Sequence, residues 1–411
     1  MRILHCLSQL PGQTGSGIYL QAIVREGQQV GLSQAVLCGL PTAMATSPTG
    51  LDLPAENIYP VYFDNAELPF PVAGMSDVMP YPSTRFAEFD DEKLARYEAA
   101  FTKVIVTAVR NFAPDIIHSH HLWLMTALIK KLFPSIPLLA SAHGTELRQL
   151  ELAPRLAPGV IKGVTAVDRV LALNHEQKRK LVEAYGFAPE KVGIAGAGYR
   201  RDLFCRVFGA KEELPTFIYA GKLSRAKGVP WLLQAFSKLP PPAALWLAGG
   251  GGGSESDKIR RQATLIQGVK LLGPLSQNEL AERFQRAHVL ALPSFYEGLP
   301  LVLLEALACD CRVIVTDLPG IRDLVGEEAI ATELISCVPL PPLKGPDQLD
   351  KEHEPLFLDN LTQALQIQLK HIRQKQAFCC EQLQTTLEET GWHQVFRRIR
   401  QHYSELAGIQ N

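Results

Sequence analysis

Glu297 and Glu305 stand eight residues apart in ALPSFYEGLPLVLLEALA, residues 291–308. An apolar run ends at Pro293, a short loop carries Glu297-Gly298, and a helix is expected from about Leu299–Pro300. Proline fits a first helical position because the N–H it lacks has no partner there. A helix start after a strand presents free N–H groups and the positive end of the helix dipole, which suit a diphosphate. At 1.5 Å per residue, six helical residues span about 9 Å, roughly a ribose-diphosphate-sugar. One carboxylate could hold sugar hydroxyls and the other ribose hydroxyls, with backbone N–H groups around Gly298, Leu299 and Leu301 on the phosphates between. Glu305 lies inside LVLLEALA, where an unpaired charge is costly, so a polar partner nearby is expected.

A second group is cationic. In FIYAGKLSRAKGVPWLL, a strand ends at Ala220-Gly221 and Lys222 and Lys227 follow, five residues apart. Ammonium groups at the carboxyl end of a parallel strand can face the crevice where open α/β sheets bind ligands, and there they would neutralise a departing diphosphate. Arg225, between them, is read as a solvated guanidinium. PGQTGSGIY, residues 11–19, joins a first strand to a first helix through Gly12, Gly15 and Gly17, so that the backbone can approach phosphate or sugar closely. It lacks the spacing of a dinucleotide fingerprint and its acidic partner, which argues against a nicotinamide enzyme. Histidines follow two more strand ends: His118, His120 and His121, then His143 before Gly-Thr-Glu. Strand alternation puts neighbours on opposite faces, so no metal is expected among the first three. A neutral His143 could hydrogen-bond a sugar or its leaving phosphate.

Strands and helices alternating along the chain must position these groups. Expected strands are 2–7, 35–39, 115–118, 137–142, 169–173 and 192–195, then 216–220, 244–248, 269–272, 289–292 and 312–315. Expected helices include 91–112, 175–185, 229–239, 256–267, 277–286 and 300–308; Ser276-x-x-Glu279 is a capping box for the fifth. The predicted fold class is α/β, with two Rossmann-like doubly wound domains facing a cleft. Residues 1–210 would form a first domain, 211–390 a second, and 391–411 a helix returning to the first. Residues 338–354 are Pro-rich and charged and read as a surface loop, and 356–407 as one or two amphipathic helices.

The 411 residues are 46% hydrophobic and 20% charged, with a net charge of −1. That excludes a disordered tail, a coiled coil and a basic nucleic-acid wrapper. No apolar run reaches the ~18 residues needed to span a bilayer, and the N-terminus reads as a strand rather than a signal peptide. The eight scattered cysteines fit a reducing compartment. A cytoplasmic protein is expected, with peripheral contact to the inner membrane face as an option.

These segments resemble the GT-B glycosyltransferases of family four. PSFYEGLPLVLLEALA is similar to that family's Glu-x7-Glu element, and GKLSRAKG to its Gly-Arg-Leu-Ser…Lys-Gly run, with Lys222 where Arg is usual. LLGPLSQNEL, which includes Leu272, resembles the segment whose backbone meets the nucleotide base. HGTE resembles the His motif facing the donor sugar, and PGQTGSG the Gly-rich loop at the diphosphate. Gly196-Ala-Gly-Tyr199 stands where the interdomain signature is usually Asn-Gly-Val-Asp. Lys222 offers a point charge rather than a bidentate guanidinium. The resemblance implies a retaining transfer of a hexosyl group from a nucleotide-sugar, UDP- or GDP-linked, to an acceptor hydroxyl of a lipid, glycan or small molecule. In it His143, Lys222, Lys227 and Glu297 would be catalytic. Gly15, Gly17, Gly221, Leu272, Gly298, Leu299, Leu301 and Glu305 would bind the donor. No cofactor and no metal are implied. The alternatives are a nucleotide-sugar epimerase of the same fold and a two-lobed non-catalytic sugar-binding protein.

Overall fold

The computed structural model describes the chain except residues 13, 46–48, 77–78, 298–299, 346–347, 377–379 and 409–411. It divides into two compact units: Met1–Ala197 with Trp392–Asn411, and Gly198–Gly391. The division falls before the expected residue 210, and the C-terminal helix belongs to the first unit.

The first unit holds seven parallel strands: β1 (Arg2–Leu7), β2 (Ser33–Pro41), β3 (Ile58–Phe63), β4 (Ile116–His120), β5 (Leu138–Ser141), β6 (Arg169–Ala172) and β7 (Val192–Ile194). Their order is β3-β2-β1-β4-β5-β6-β7. The second holds β8 (Thr216–Ala220), β9 (Ala244–Ala248), β10 (Val269–Gly273), β11 (Val289–Leu292), β12 (Arg312–Thr316) and β13 (Ile335–Val338), ordered β10-β9-β8-β11-β12-β13. Each sheet therefore reverses its winding once, at β1/β4 and at β8/β11. Ligands of doubly wound sheets sit at that reversal, outside the carboxyl ends of the strands. Strands such as Thr216–Ala220 are buried on both faces, which is why they read as unbroken apolar runs.

Helices cover both sheets: α1 (Gly15–Gln29), α2 (Asp91–Phe112), α3 (Leu124–Leu132), α4 (Thr145–Leu152), α5 (Ala157–Val164) and α6 (His175–Tyr185) in the first unit. The second has α7 (Val229–Phe236), α8 (Gly253–Thr264), α9 (Gln277–Arg286), α10 (Leu301–Ala308), α11 (Ile321–Val325), α12 (Glu327–Ala331), α13 (Glu354–Arg373) and α14 (Glu381–Glu389). Helix α15 (Trp392–Leu406) returns to the first unit. Helix α2 shows how sequence sets these limits. Asp90 accepts from the Lys93 N–H, the buried face runs Tyr97, Ala100, Phe101, Ile105, Ala108 and Phe112, and Ala113 ends it in the left-handed region before Pro114.

The structure corrects several expectations. Strands β3 and β13 are additional; both are sheet edges, and Pro60 in β3 masks its pattern, as proline tolerates only an edge. Residues 338–354 are not plain loop: Leu343–Gly345 and Gln348–Leu349 pair antiparallel. The tail forms three helices rather than one or two. No described helix is long and apolar enough to cross a membrane.

In the second unit the loops after β8, β9 and β10 run in contact. Gly221 N–H donates to Ala248 O, Leu223 N–H to Gly250 O and Gly249 N–H to Gly273 O. A Cβ on Gly249, at φ +136°, would lie 1.8 Å from the Gly221 carbonyl oxygen. Gly249→Ala is therefore expected to cost more than about 3 kcal/mol, since backbone cannot yield as a side chain can. Urea denaturation would show a lowered midpoint.

Candidate functional site

At the β8/β11 reversal two loops interlock. The Phe295 N–H donates to Ala226 O at 3.0 Å. Gly228, at φ +69°, passes so close to Pro293 that a Cβ would meet its carbonyl oxygen at 2.0 Å. This registry brings Lys227 Nζ to 2.6 Å from Glu297 Oε1, and the same ammonium donates to Tyr296 O at 3.1 Å. The pair keeps 23% and 17% of its side-chain surface, enough to meet a ligand. The two side chains were expected to grip different parts of a ligand; in the structure cation and anion pair with each other. Buried Tyr219, on β8, donates its hydroxyl to the Lys222 carbonyl and so fixes the turn at Gly221. Burial, reinforced by the Glu297 charge, holds that phenol well above its ordinary range. Lys222 is half-buried on the same loop. Arg225, expected to be solvated, is exposed, and it also stacks on Trp231 at 4.5 Å and pairs with Glu354 at 3.2 Å.

Helix α10 begins at Leu301, with Pro300 at the cap rather than at the first helical position. Leu301 is half-buried at that start, and Leu272 is half-buried near the end of β10. Gly298 and Leu299 lie outside the described residues. Glu305 is 6% exposed, and burial lifts its carboxyl to about 8. The expected polar partner is absent: among the described residues no hydrogen bond or ion pair reaches it. A buried carboxyl with nothing to bind must keep its proton or meet a ligand.

In the first unit, the loop after β1 is built around Gln9, whose amide donates to Thr14 Oγ1 at 3.2 Å and to Ser16 Oγ at 2.8 Å. Thr14 caps α1 by accepting from the Gly17 N–H at 3.1 Å. A Cβ on Gly17 would meet Gly12 N at 2.3 Å, whereas Gly15 faces open space. Across the β1/β4 reversal, His143 shares a 3.1 Å hydrogen bond with His120, and its backbone N–H donates to Glu146 Oε1 at 2.6 Å. Burial, with neighbouring His121 and His118, holds the His143 imidazole well below its ordinary pKa, so it is neutral at pH 7. Tyr19 meets His143 edge-on at 5.0 Å, and Trp392 of α15 meets Tyr19 at 5.1 Å.

His5, His118 and His120 offer nitrogens within 4.8 Å of one another. Yet His118 spends both nitrogens, on Tyr403 at 2.6 Å and Ser141 at 2.8 Å, and stacks on His120 at 20°. His5 is tilted against both, at 47° and 36°, and burial holds all three imidazoles below their ordinary range.

Comparison with known proteins decides the family. Residues 76–202 match the model of "Glycosyltransferase Family 4", and residues 201–335 that of "Glycosyl transferases group 1". Consecutively they cover more than half of the chain. The chain is a GT-B glycosyltransferase. It is 24% identical over 349 residues to a Bacillus subtilis chain assigned as the teichuronic acid biosynthesis glycosyltransferase TuaC, covering 80% of this chain and 84% of that one. It is 25% identical over 280 residues to the D-inositol 3-phosphate glycosyltransferase of Xylanimonas cellulosilytica, covering 60% and 67%. The fold matches sucrose-phosphate synthase of Thermosynechococcus elongatus at TM-score 0.74, with 17% identity and full coverage of both chains. It also matches Anabaena HepE, solved with UDP-glucose, at TM-score 0.65, with 17% identity and coverage of 98% and 100%.

In this glycosyltransferase, sequence reading missed Gln9 and Tyr219, and it named His120 and Glu146 without their bonds to His143. The bond to Glu146 was within reach, as that of an acid in the first turn of a helix starting after His143-Gly144. The hydroxyl of Tyr219 acts on a carbonyl three residues ahead, and no residue pattern marks such a contact.

Proposed function

We propose that this chain transfers a hexosyl group, with retention, from a nucleoside-diphosphate sugar to an acceptor hydroxyl. The observation that carries this reading is the Lys227–Glu297 pair at the β8/β11 reversal, with buried Glu305, which has no partner among the described residues, eight residues further on. Lys227 would leave Glu297 in part for the diphosphate, which needs cationic stabilisation as it departs. Lys222 adds charge from the same loop, and the N–H groups at the start of α10 add a dipole end. Glu297, released, would accept from sugar hydroxyls, and Glu305 from ribose hydroxyls. The base end would lie against backbone near Leu272 and Gly221. In the first unit, neutral His143 is able to hydrogen-bond a sugar hydroxyl, and Gly15, with open space before it, admits a ligand to the backbone of the loop that Gly17 helps to close. The UDP-glucose bound by HepE supports a nucleotide-sugar donor.

A panel of UDP- and GDP-sugars, read first by ligand-induced stabilisation and then by turnover, tests the reading. The cognate donor at 100 times its dissociation constant should stabilise by ~2.7 kcal/mol. Nucleotide release dependent on an acceptor identifies a transferase; an altered sugar would identify an epimerase, and binding without turnover a sugar-binding protein. With two lysines supplying the cationic charge, turnover should survive a chelator. Loss of activity on chelation, restored by a divalent ion, would contradict that assignment.

A further inference from the structure

The residues that hold the Lys227–Glu297 pair in register are braced from outside the two loops. Phe295, two residues before Glu297, is buried between Trp231 of α7 and Phe357 of α13, with ring centres 5.2 Å away in each case. Arg225, two residues before Lys227, lies over the outer side of the same cluster, 4.5 Å from the Trp231 ring. Its guanidinium is then tied to Glu354, the first residue of α13, at 3.2 Å. Helix α13 therefore touches both loops: Phe357 under the one carrying Glu297, and Glu354 beside the one carrying Lys227. The helix follows the antiparallel pair Leu343–Gly345 and Gln348–Leu349 and the short turn Lys351–His353.

We propose that Glu354 and Arg225 are positioning residues. Through them, the start of α13 holds the Gly221–Gly228 loop against residues 293–297 so that the Lys227 ammonium stays within reach of donor phosphate. This rests on the donor-site reading above. Neither residue touches donor; each acts through the loop. A solvated pair alone is weak, but the stacked guanidinium leaves Arg225 few orientations to lose, so the contact restrains the loop more than its exposure suggests.

The test uses the full chain with Glu354→Gln, Arg225→Gln and the double variant. Each single variant should raise the donor KM or lower kcat/KM about three- to tenfold with acceptor KM unchanged, a size set by the loss of one exposed pair and one stacking contact. The double variant should be no worse than Arg225→Gln, because both changes break one contact. Hydrogen exchange is read in parallel and needs no substrate: amides of residues 226–228 and 294–297 should exchange faster while the denaturation midpoint is unchanged. Unchanged exchange in those segments overturns the proposal, as does faster exchange with wild-type donor kinetics. If the wild-type chain turns over no nucleotide-sugar, the donor-site reading falls, and the exchange result alone decides the brace.

Discussion

Lys227→Ala is expected to lower nucleotide-sugar turnover by about two orders of magnitude, the size of effect seen when one preorganised group facing transition-state charge is removed. The fold should survive. Glu297, its partner, keeps 17% of its side-chain surface, so the substitution strands no fully buried charge. The Tyr296 carbonyl loses one donor, but Tyr296 is only half-buried, so water can replace it. Glu297→Gln should lower turnover by at least an order of magnitude, because the amide neither balances Lys227 nor accepts as strongly from sugar hydroxyls. The two losses should not multiply in the double variant, since the residues bond to each other. Steady-state kinetics with the cognate donor, alongside urea denaturation, check this. Near-normal turnover in both single variants would remove the pair from the chemistry.

The second large effect belongs to Glu305. Its carboxyl titrates near 8 in the folded chain against an ordinary 4.5, and the cause is burial. The folded state therefore holds a proton that the unfolded state releases, and stability is expected to fall as pH rises from about 4.5 through 8. This contribution is fully present below the lower value and gone above the upper one, and it amounts to a few kcal/mol. Glu305→Gln should flatten that slope and leave the protein as stable at pH 8.5 as at pH 6. Donor affinity should move the other way. If ribose hydroxyls donate to this group, the wild-type chain binds more tightly as pH rises through about 8, because the carboxylate is the better acceptor. The amide should lose that pH dependence together with about tenfold or more in affinity, the cost of one charged hydrogen-bond acceptor. Urea denaturation and calorimetric titration of the donor across pH 6 to 9 check both signs.

Much of this was legible in the residues. Helices α2, α6 and α9 fall at their expected limits because Asp90, Asn174 and Ser276 each accept from a first-turn N–H, and such caps are local. The central strands were legible because burial on both faces leaves unbroken apolar runs. Two of the four edge strands were not: Ile58–Phe63 and Ile335–Val338 each have one neighbour and need no such run. The glutamates and lysines were found by type and spacing. Their pairing was not, because Lys227 meets Glu297 only through the contact of Ala226 with Phe295, which joins residues far apart in sequence. The Arg225–Glu354 contact was hidden for the same reason. So was the tie of His118 to Tyr403, which depends on α15 packing in the first unit.

A crystal structure with bound UDP or GDP tests the central claim most directly. The diphosphate is predicted within hydrogen-bond distance of Lys227 Nζ and the first-turn N–H groups of α10, with the ribose hydroxyls on the Glu305 carboxylate. A nucleotide bound elsewhere, with Lys227 still on Glu297 and Glu305 still without a partner, would contradict it.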